Sequence, residues 1–296
     1  MRCVDIMGHS EDEEFGARNI NIAISNDNGL LSMLSGEVGE ATLRPNDHRS
    51  FTPMPDKTAL VVSAHSADFV WRCGGAIALH AEKGCDVTVV CLSYGERGES
   101  AKLWRQGGMT LDRVKTERRK EAEAAARALD VRDIRFFDLG DYPLVMDQDA
   151  KFRLVDVIRE VMPSFMLTHS TWDPYNPDHM LTLQWTLECR AIAQAWGHNP
   201  GQAVLGAPQV YLFEPHQTEQ MNWKPDVFLD ITPVWDRKWA AIQCMQGQEH
   251  LWSFYRNAAE NRANHFQRNS GGQSGGRAAK YAEGFQSVFP RTVDEL

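Results

Sequence analysis

The chain has no Cys-x-x-Cys pair among its six cysteines, no apolar stretch near membrane length and no cationic stripe. Each absence excludes a class. Cys3, Cys73, Cys85, Cys91, Cys189 and Cys244 are spaced for neither a disulfide framework nor a zinc ribbon, and most sit in apolar surroundings, so they read as reduced thiols acting as small hydrophobes. Without the roughly eighteen successive apolar residues of a membrane helix, and with no apolar leader core in residues 1–14, a cytoplasmic location is expected. The net charge of -9, with basic residues interspersed among acidic ones, argues against nucleic acid and membrane as partners. No Gly-x-Gly-x-x-Gly follows the first strand-like run, Gly95-Glu-Arg-Gly98 carries acids that would repel phosphate, and no Gly-x-Ser-x-Gly elbow occurs. There is no internal repeat.

What is present is enough apolar residue, 43% of 296, to bury a full core. Residues 1–55 are rich in Asn, Asp, Ser and Gly and read as an extension to a catalytic domain over 56–296. Within that domain short β-branched runs alternate with amphipathic ones. Strands are expected at Ala59–Ala64, Asp86–Leu92, Ile134–Phe137, Pro163–His169, Val210–Phe213 and Val227–Asp230. Helices are expected at Trp71–Lys83, Thr110–Leu129, Phe152–Val161, Asp178–Trp196, Val234–Met245 and His250–Gln267. Ser270–Gly276 reads as a flexible loop, and the helix over 250–268 with the aromatic tail Tyr281–Phe289 is the surface expected to meet a second copy in a homo-oligomer. Such alternation implies an α/β, Rossmann-like fold: a mostly parallel sheet with helices on both faces.

Open α/β sheets bind ligands beyond the carboxyl ends of their strands, and those positions are polar here. The first strand delivers His65 and Asp68, the second Ser93–Glu99, the third Asp138 and Asp141, the fourth His169–His179, and the fifth Glu214-Pro-His216. His65, Asp68 and His179 offer two nitrogens and one oxygen, leaving a position open for water or substrate, as a catalytic zinc site requires. Other divalent metals suit the same ligands. Taken singly, His65 and His179 read as helix-start residues; together at strand ends they favour a metal.

Ala64-His-Ser-Ala-Asp68, Gly95-Glu-Arg-Gly-Glu99 and Asn176-Pro-Asp-His179 resemble, in order and spacing, the LmbE-like or PIG-L zinc deacetylase family over roughly residues 58–268. The resemblance implies zinc on His65, Asp68 and His179. The aspartate that acts as general base in that family is replaced by Ala67, whose methyl group cannot take a proton, and Asn176 stands where the family has another histidine. Together with Phe137-Asp-Leu-Gly-Asp-Tyr-Pro143 and Phe213-Glu-Pro-His-Gln217, these departures resemble a subgroup that adds water to a carbon–carbon double bond of 4-oxalomesaconate in bacterial-type 4,5-cleavage of protocatechuate or gallate.

The resemblance thus implies a small tricarboxylate substrate. Arg97 and Arg105 are expected to hold its carboxylates as bidentate donors, with Lys102 as a point charge and Asn176, Tyr175 and His169 lining the pocket. Glu99 and His216 are the expected acid and base, and Asp178 completes the catalytic set as a carboxylate that orients a ligand or caps the following helix. The plain alternatives are a Glu99 that only favours a helix N-terminus and a solvated loop His216. The rival functions are an amino-sugar N-deacetylase and a metal-binding protein without turnover.

Overall fold

Thr58–Ser63 is apolar or β-branched at nearly every position and forms strand β1, buried over its last five residues as a strand covered on both faces must be. The computed structural model describes residues 57–270 and 278–290. After β1 come α1 (Asp68–Glu82), β2 (Asp86–Cys91), the short α2 (Ala101–Trp104), α3 (Leu111–Ala128), β3 (Asp133–Phe136) and α4 (Gln148–Val161). They are followed by β4 (Phe165–Thr168), α5 (Pro177–Ala193), β5 (Gln209–Phe213), β6 (Val227–Asp230), α6 (Trp235–Cys244), α7 (Trp252–Asn269) and β7 (Ala282–Ser287).

The strands form one sheet in the order β3-β2-β1-β4-β5-β7-β6. β1 to β5 pair in parallel, and β7 runs antiparallel to both β5 and β6. Strand alternation divides the core between the two faces. Val61 and Val89 pack with Phe69 and Ile77 of α1, Ala122 and Ala126 of α3, Ile242 of α6 and Ala259 of α7. Leu60, Val62 and Val90 point the other way, to Leu154 and Ile158 of α4 and Leu183 and Cys189 of α5. The expected α/β fold with helices on both faces is the one observed.

Local chemistry accounts for the shifted boundaries. α1 begins at Asp68, before the expected Trp71, with an acid in its first turn. α4 begins at Gln148, before the expected Phe152, because Asp147 caps it by accepting from the Ala150 N–H at 2.8 Å, and its polar first turn shows no apolar period. The expected aromatic tail is instead mostly strand: Ala282–Ser287 inserts between β5 and β6. Glu283 and Gly284 in that strand conceal it from a propensity reading. The extension over 1–55 and the loop over 271–276 lie outside the described residues. Among the described residues no helix is long and apolar enough to cross a membrane.

β1 pairs with β2 on one side and β4 on the other, so the chain leaves β1 in one direction along the sheet and later returns to extend it in the other. Beyond the carboxyl ends of β1 and β4 this reversal opens a crevice.

Candidate metal centre

His65 and Asp68 follow β1, Glu99 lies in the loop after β2, and His179 enters from the first turn of α5 after β4. One ligand atom from each of these four residues lies within 4.8 Å of all the others. His65 Nδ1 is 3.3 Å from Asp68 Oδ2 and 3.2 Å from Glu99 Oε1, and His179 Nε2 is 3.5 Å from Asp68 Oδ1. Ligands about 2.0–2.1 Å from a tetrahedral zinc stand roughly 3.3 Å apart, so these separations suit a shared cation.

The hydrogen-bond pattern fits a metal as well. His65 Nδ1 and His179 Nε2 are buried without hydrogen-bond partners, and both belong to the cluster. The opposite ring nitrogens are engaged: His65 Nε2 meets Asp178 Oδ2 at 3.3 Å, and His179 Nδ1 meets Asp173 Oδ2 at 2.8 Å. Carboxylates placed behind imidazoles in this way fix ring orientation and tautomer and make the outward nitrogen more basic. His169 is different. Its Nε2 accepts from the Ala64 N–H at 2.9 Å, so its lone pair is used, and its ring stacks on His179 with centroids 4.1 Å apart.

Turn chemistry aims the ligands. Asp173 Oδ1 accepts from the N–H groups of Tyr175 and Asn176, folding the loop back so that Pro177 starts α5 and His179 faces the crevice. Gly95 has φ +67°, and a Cβ there would lie 3.2 Å from that of His65, so both conformation and close approach require glycine.

Charge balance follows from this packing. Burial is the largest effect on His65 and opposes its charged form, but Glu99, Asp178 and Asp68 outweigh it and hold the imidazole well above its usual range. Burial likewise opposes the Asp68 carboxylate, yet His179 and His169 keep it well below the usual carboxylate range. Glu99 is lowered in the same way, against burial, chiefly by His65. Burial and then His179 depress His169 to about 3, so it is neutral.

The expected site residues do not all converge on the cluster. His65, Asp68, Glu99 and His179 come together, and Asn176 Nδ2 reaches Glu99 Oε1 at 3.4 Å. Asp178 accepts from the N–H groups of Tyr142 and Leu144 at 3.0 Å as well as meeting His65, which makes it an orienting carboxylate with little capacity left for substrate. His216, half-buried after β5, stacks on Phe254 with centroids 4.3 Å apart, and burial followed by Arg72 lowers it. Arg97 and Arg105 are exposed and Tyr175 is largely so. Arg97 Nη1 donates to the Asp141 carbonyl, and Lys102 is committed to the Glu249 carboxylate at 2.7 Å.

Sequence reasoning missed Arg72, Asp173 and Tyr142. Arg72 Nε donates to Asp68 Oδ1 at 3.2 Å, a pairing signalled by its i,i+4 spacing on a helix. Asp173 was visible only as one polar residue in a polar loop. The Tyr142 ring lies 6.1 Å from that of His65 and packs over Gly98, where a Cβ would come within 2.2 Å of it. Burial and then Glu99 raise its phenol to about 12. No local pattern announces a contact across that distance in the chain.

Known proteins share this arrangement of chain. The family model of PIG-L, GlcNAc-PI de-N-acetylase, matches residues 60–189. The chain is 61% identical to a 4-oxalmesaconate hydratase of Pseudomonas putida KT2440 over 242 residues, covering 82% of this chain and 93% of that protein. The crystal structure of GalB, the 4-carboxy-2-hydroxymuconate hydratase from the same organism, superposes with a TM-score of 0.79 at 60% identity, covering 81% of this chain and 99% of the other. An N,N'-diacetylchitobiose deacetylase from Pyrococcus horikoshii follows at a TM-score of 0.63 and 25% identity, over 78% and 84% of the two chains. With its sheet, its histidine and carboxylate cluster and a near-complete match to one of these relatives, the chain belongs to the PIG-L family.

Proposed function

We propose that this protein is a cytoplasmic hydratase that adds water to 4-oxalomesaconate, the keto form of 4-carboxy-2-hydroxymuconate, giving 4-carboxy-4-hydroxy-2-oxoadipate in protocatechuate or gallate 4,5-cleavage. The observation that carries this reading is the 61% identity to the Pseudomonas putida hydratase across 93% of that protein. A buried Ala67 beside the metal-facing residues agrees with it, since a methyl group leaves no base at that position.

His65, Asp68 and His179 would hold zinc, with Asp178 and Asp173 orienting the two imidazoles. When bound, zinc supplies Lewis acidity that stabilises negative charge on the keto-acid oxygens as water adds to the conjugated system. Glu99, held ionised beside the cluster, suits the removal of a proton from water. His216, in the segment following β5, is the second member of the proton-transfer pair, neutral until it takes up a proton. Arg105, and Arg97 beyond the Nη1 bond it gives Asp141, are exposed and can offer guanidinium N–H groups to outlying carboxylates of the substrate, while Tyr175 and Asn176 stand on the loop before α5, where Asn176 reaches Glu99.

The test is the ultraviolet absorbance of enzymatically generated 4-oxalomesaconate after addition of the protein, with chelation and zinc restoration. Zinc-dependent loss of the conjugated band is expected. A stable band with fully metallated protein would overturn the reading, and acetate release from N-acetylglucosamine would replace it with the deacetylase activity named for other family members.

A further inference from the structure

Helix α1 is broken at Cys73, where φ is -142° and ψ is 17°. In an unbroken helix the Gly75 N–H would donate to the Trp71 carbonyl. Here the Gly75 and Ala76 N–H groups both donate to the carboxylate of Glu283 on β7, each at 2.7 Å. Lys238 of α6 pairs with that carboxylate at 2.6 Å and donates to the Trp71 carbonyl at 3.2 Å. A buried ion pair thus takes the place of the Gly75-to-Trp71 helical hydrogen bond, and Glu283 accepts from the Ala76 N–H as well. Gly75 is required: its Cβ would lie 2.7 Å from Ile231 and 2.9 Å from Glu283 Oε1.

The turn in front of the break carries Asp68 and Arg72. The buried guanidinium of Arg72 donates through Nε to Asp68 Oδ1 at 3.2 Å and through Nη1 to the Glu214 carbonyl at 2.8 Å, two residues before His216. One planar fork therefore joins the metal-facing carboxylate to the strand end that leads into His216. We propose that Arg72 is a positioning residue coupling Asp68 to the His216 loop, and that the Lys238–Glu283 pair, by holding the break in α1, fixes where that guanidinium lies. The proposal rests on reading Asp68 as a metal ligand.

The experiment measures zinc affinity by competition with a chromophoric chelator, and kcat and KM at saturating zinc. Arg72→Ala should weaken zinc binding at least ten-fold and lower kcat at least ten-fold with KM within about three-fold. Methylguanidinium in solution should restore part of both, which no global loss of packing would allow. Arg72→Lys, able to make one bond but not the fork, should fall between. The paired variant Lys238→Met with Glu283→Gln should weaken zinc binding in the same direction, and its effect should be non-additive with Arg72→Ala. Zinc affinity and kcat within two-fold of wild type in Arg72→Ala or Arg72→Lys would overturn the proposal. A paired variant that loses only thermal stability would remove the ion pair from it. Because zinc affinity needs no substrate, failure of hydration by the wild-type protein would end the hydratase reading and leave this one standing.

Discussion

His65 and His179 each turn one ring nitrogen towards the centre and rest the other on a carboxylate, and the two carboxylates are not equivalent. Asp173 meets His179 at 2.8 Å, whereas Asp178 divides itself between His65 and two backbone N–H groups. Asp173→Asn, which keeps the shape but loses the charge behind His179, is therefore expected to weaken zinc binding 10- to 100-fold in chelator competition. Glu99→Gln and His216→Ala should each abolish most turnover while retaining zinc, as measured by metal analysis and the loss of substrate absorbance; near-normal rates in both would refute their pairing as base and acid. His65, Asp68 and His179 were legible in the sequence because each lies within a few residues of a strand end. Arg72 and Asp173 were not singled out, because their importance lies in what they touch, and a residue behind a ligand has the same local signature as any helix arginine or loop aspartate.

Elements place these residues with little slack. The loop after β2 packs against His65 only because Gly95 takes a positive φ and has no side chain. Gly95→Ala should destabilise the protein by about 1–2 kcal/mol from backbone strain and lower kcat, the former measured by chemical denaturation and the latter at saturating zinc. An unchanged kcat would show that the loop does not set the His65 position. Five parallel strands and most helices could be read from periodicity, since burial on both faces leaves continuous apolar strands and on one face leaves striped helices. β7 escaped that reading. Its sequence Ala-Glu-Gly-Phe-Gln-Ser has neither pattern, and its inner acid is tolerated only because Lys238 and the broken helix meet it.

At the scale of the molecule, the centre links stability to pH in two opposite ways. His169 is depressed to about 3, so as pH falls below its ordinary value near 6.5 the unfolded chain binds the proton first and stability drops, by up to about 1.4 kcal/mol per pH unit. His65 is raised, so its contribution is full below that same value and is lost as pH rises through its folded pKa. Thermal unfolding of the chelated protein should therefore show a maximum near pH 6.5, and zinc should remove the alkaline decline because a ligated His65 carries no proton to lose. A chelated protein whose stability rises steadily from pH 6 to 8 would contradict this balance. The α/β class, the placing of β1 to β6 along the chain and the polar character of the parallel strands' carboxyl ends can be read from residues alone, because these follow from local periodicity and turn chemistry. That β1 and β4 lie side by side, that His65 and His179 therefore share a centre, and that β7 returns to brace α1 emerges only from the folded molecule. Those are contacts between residues far apart in the chain, and their energy comes from burial and pairing that no short window of sequence contains.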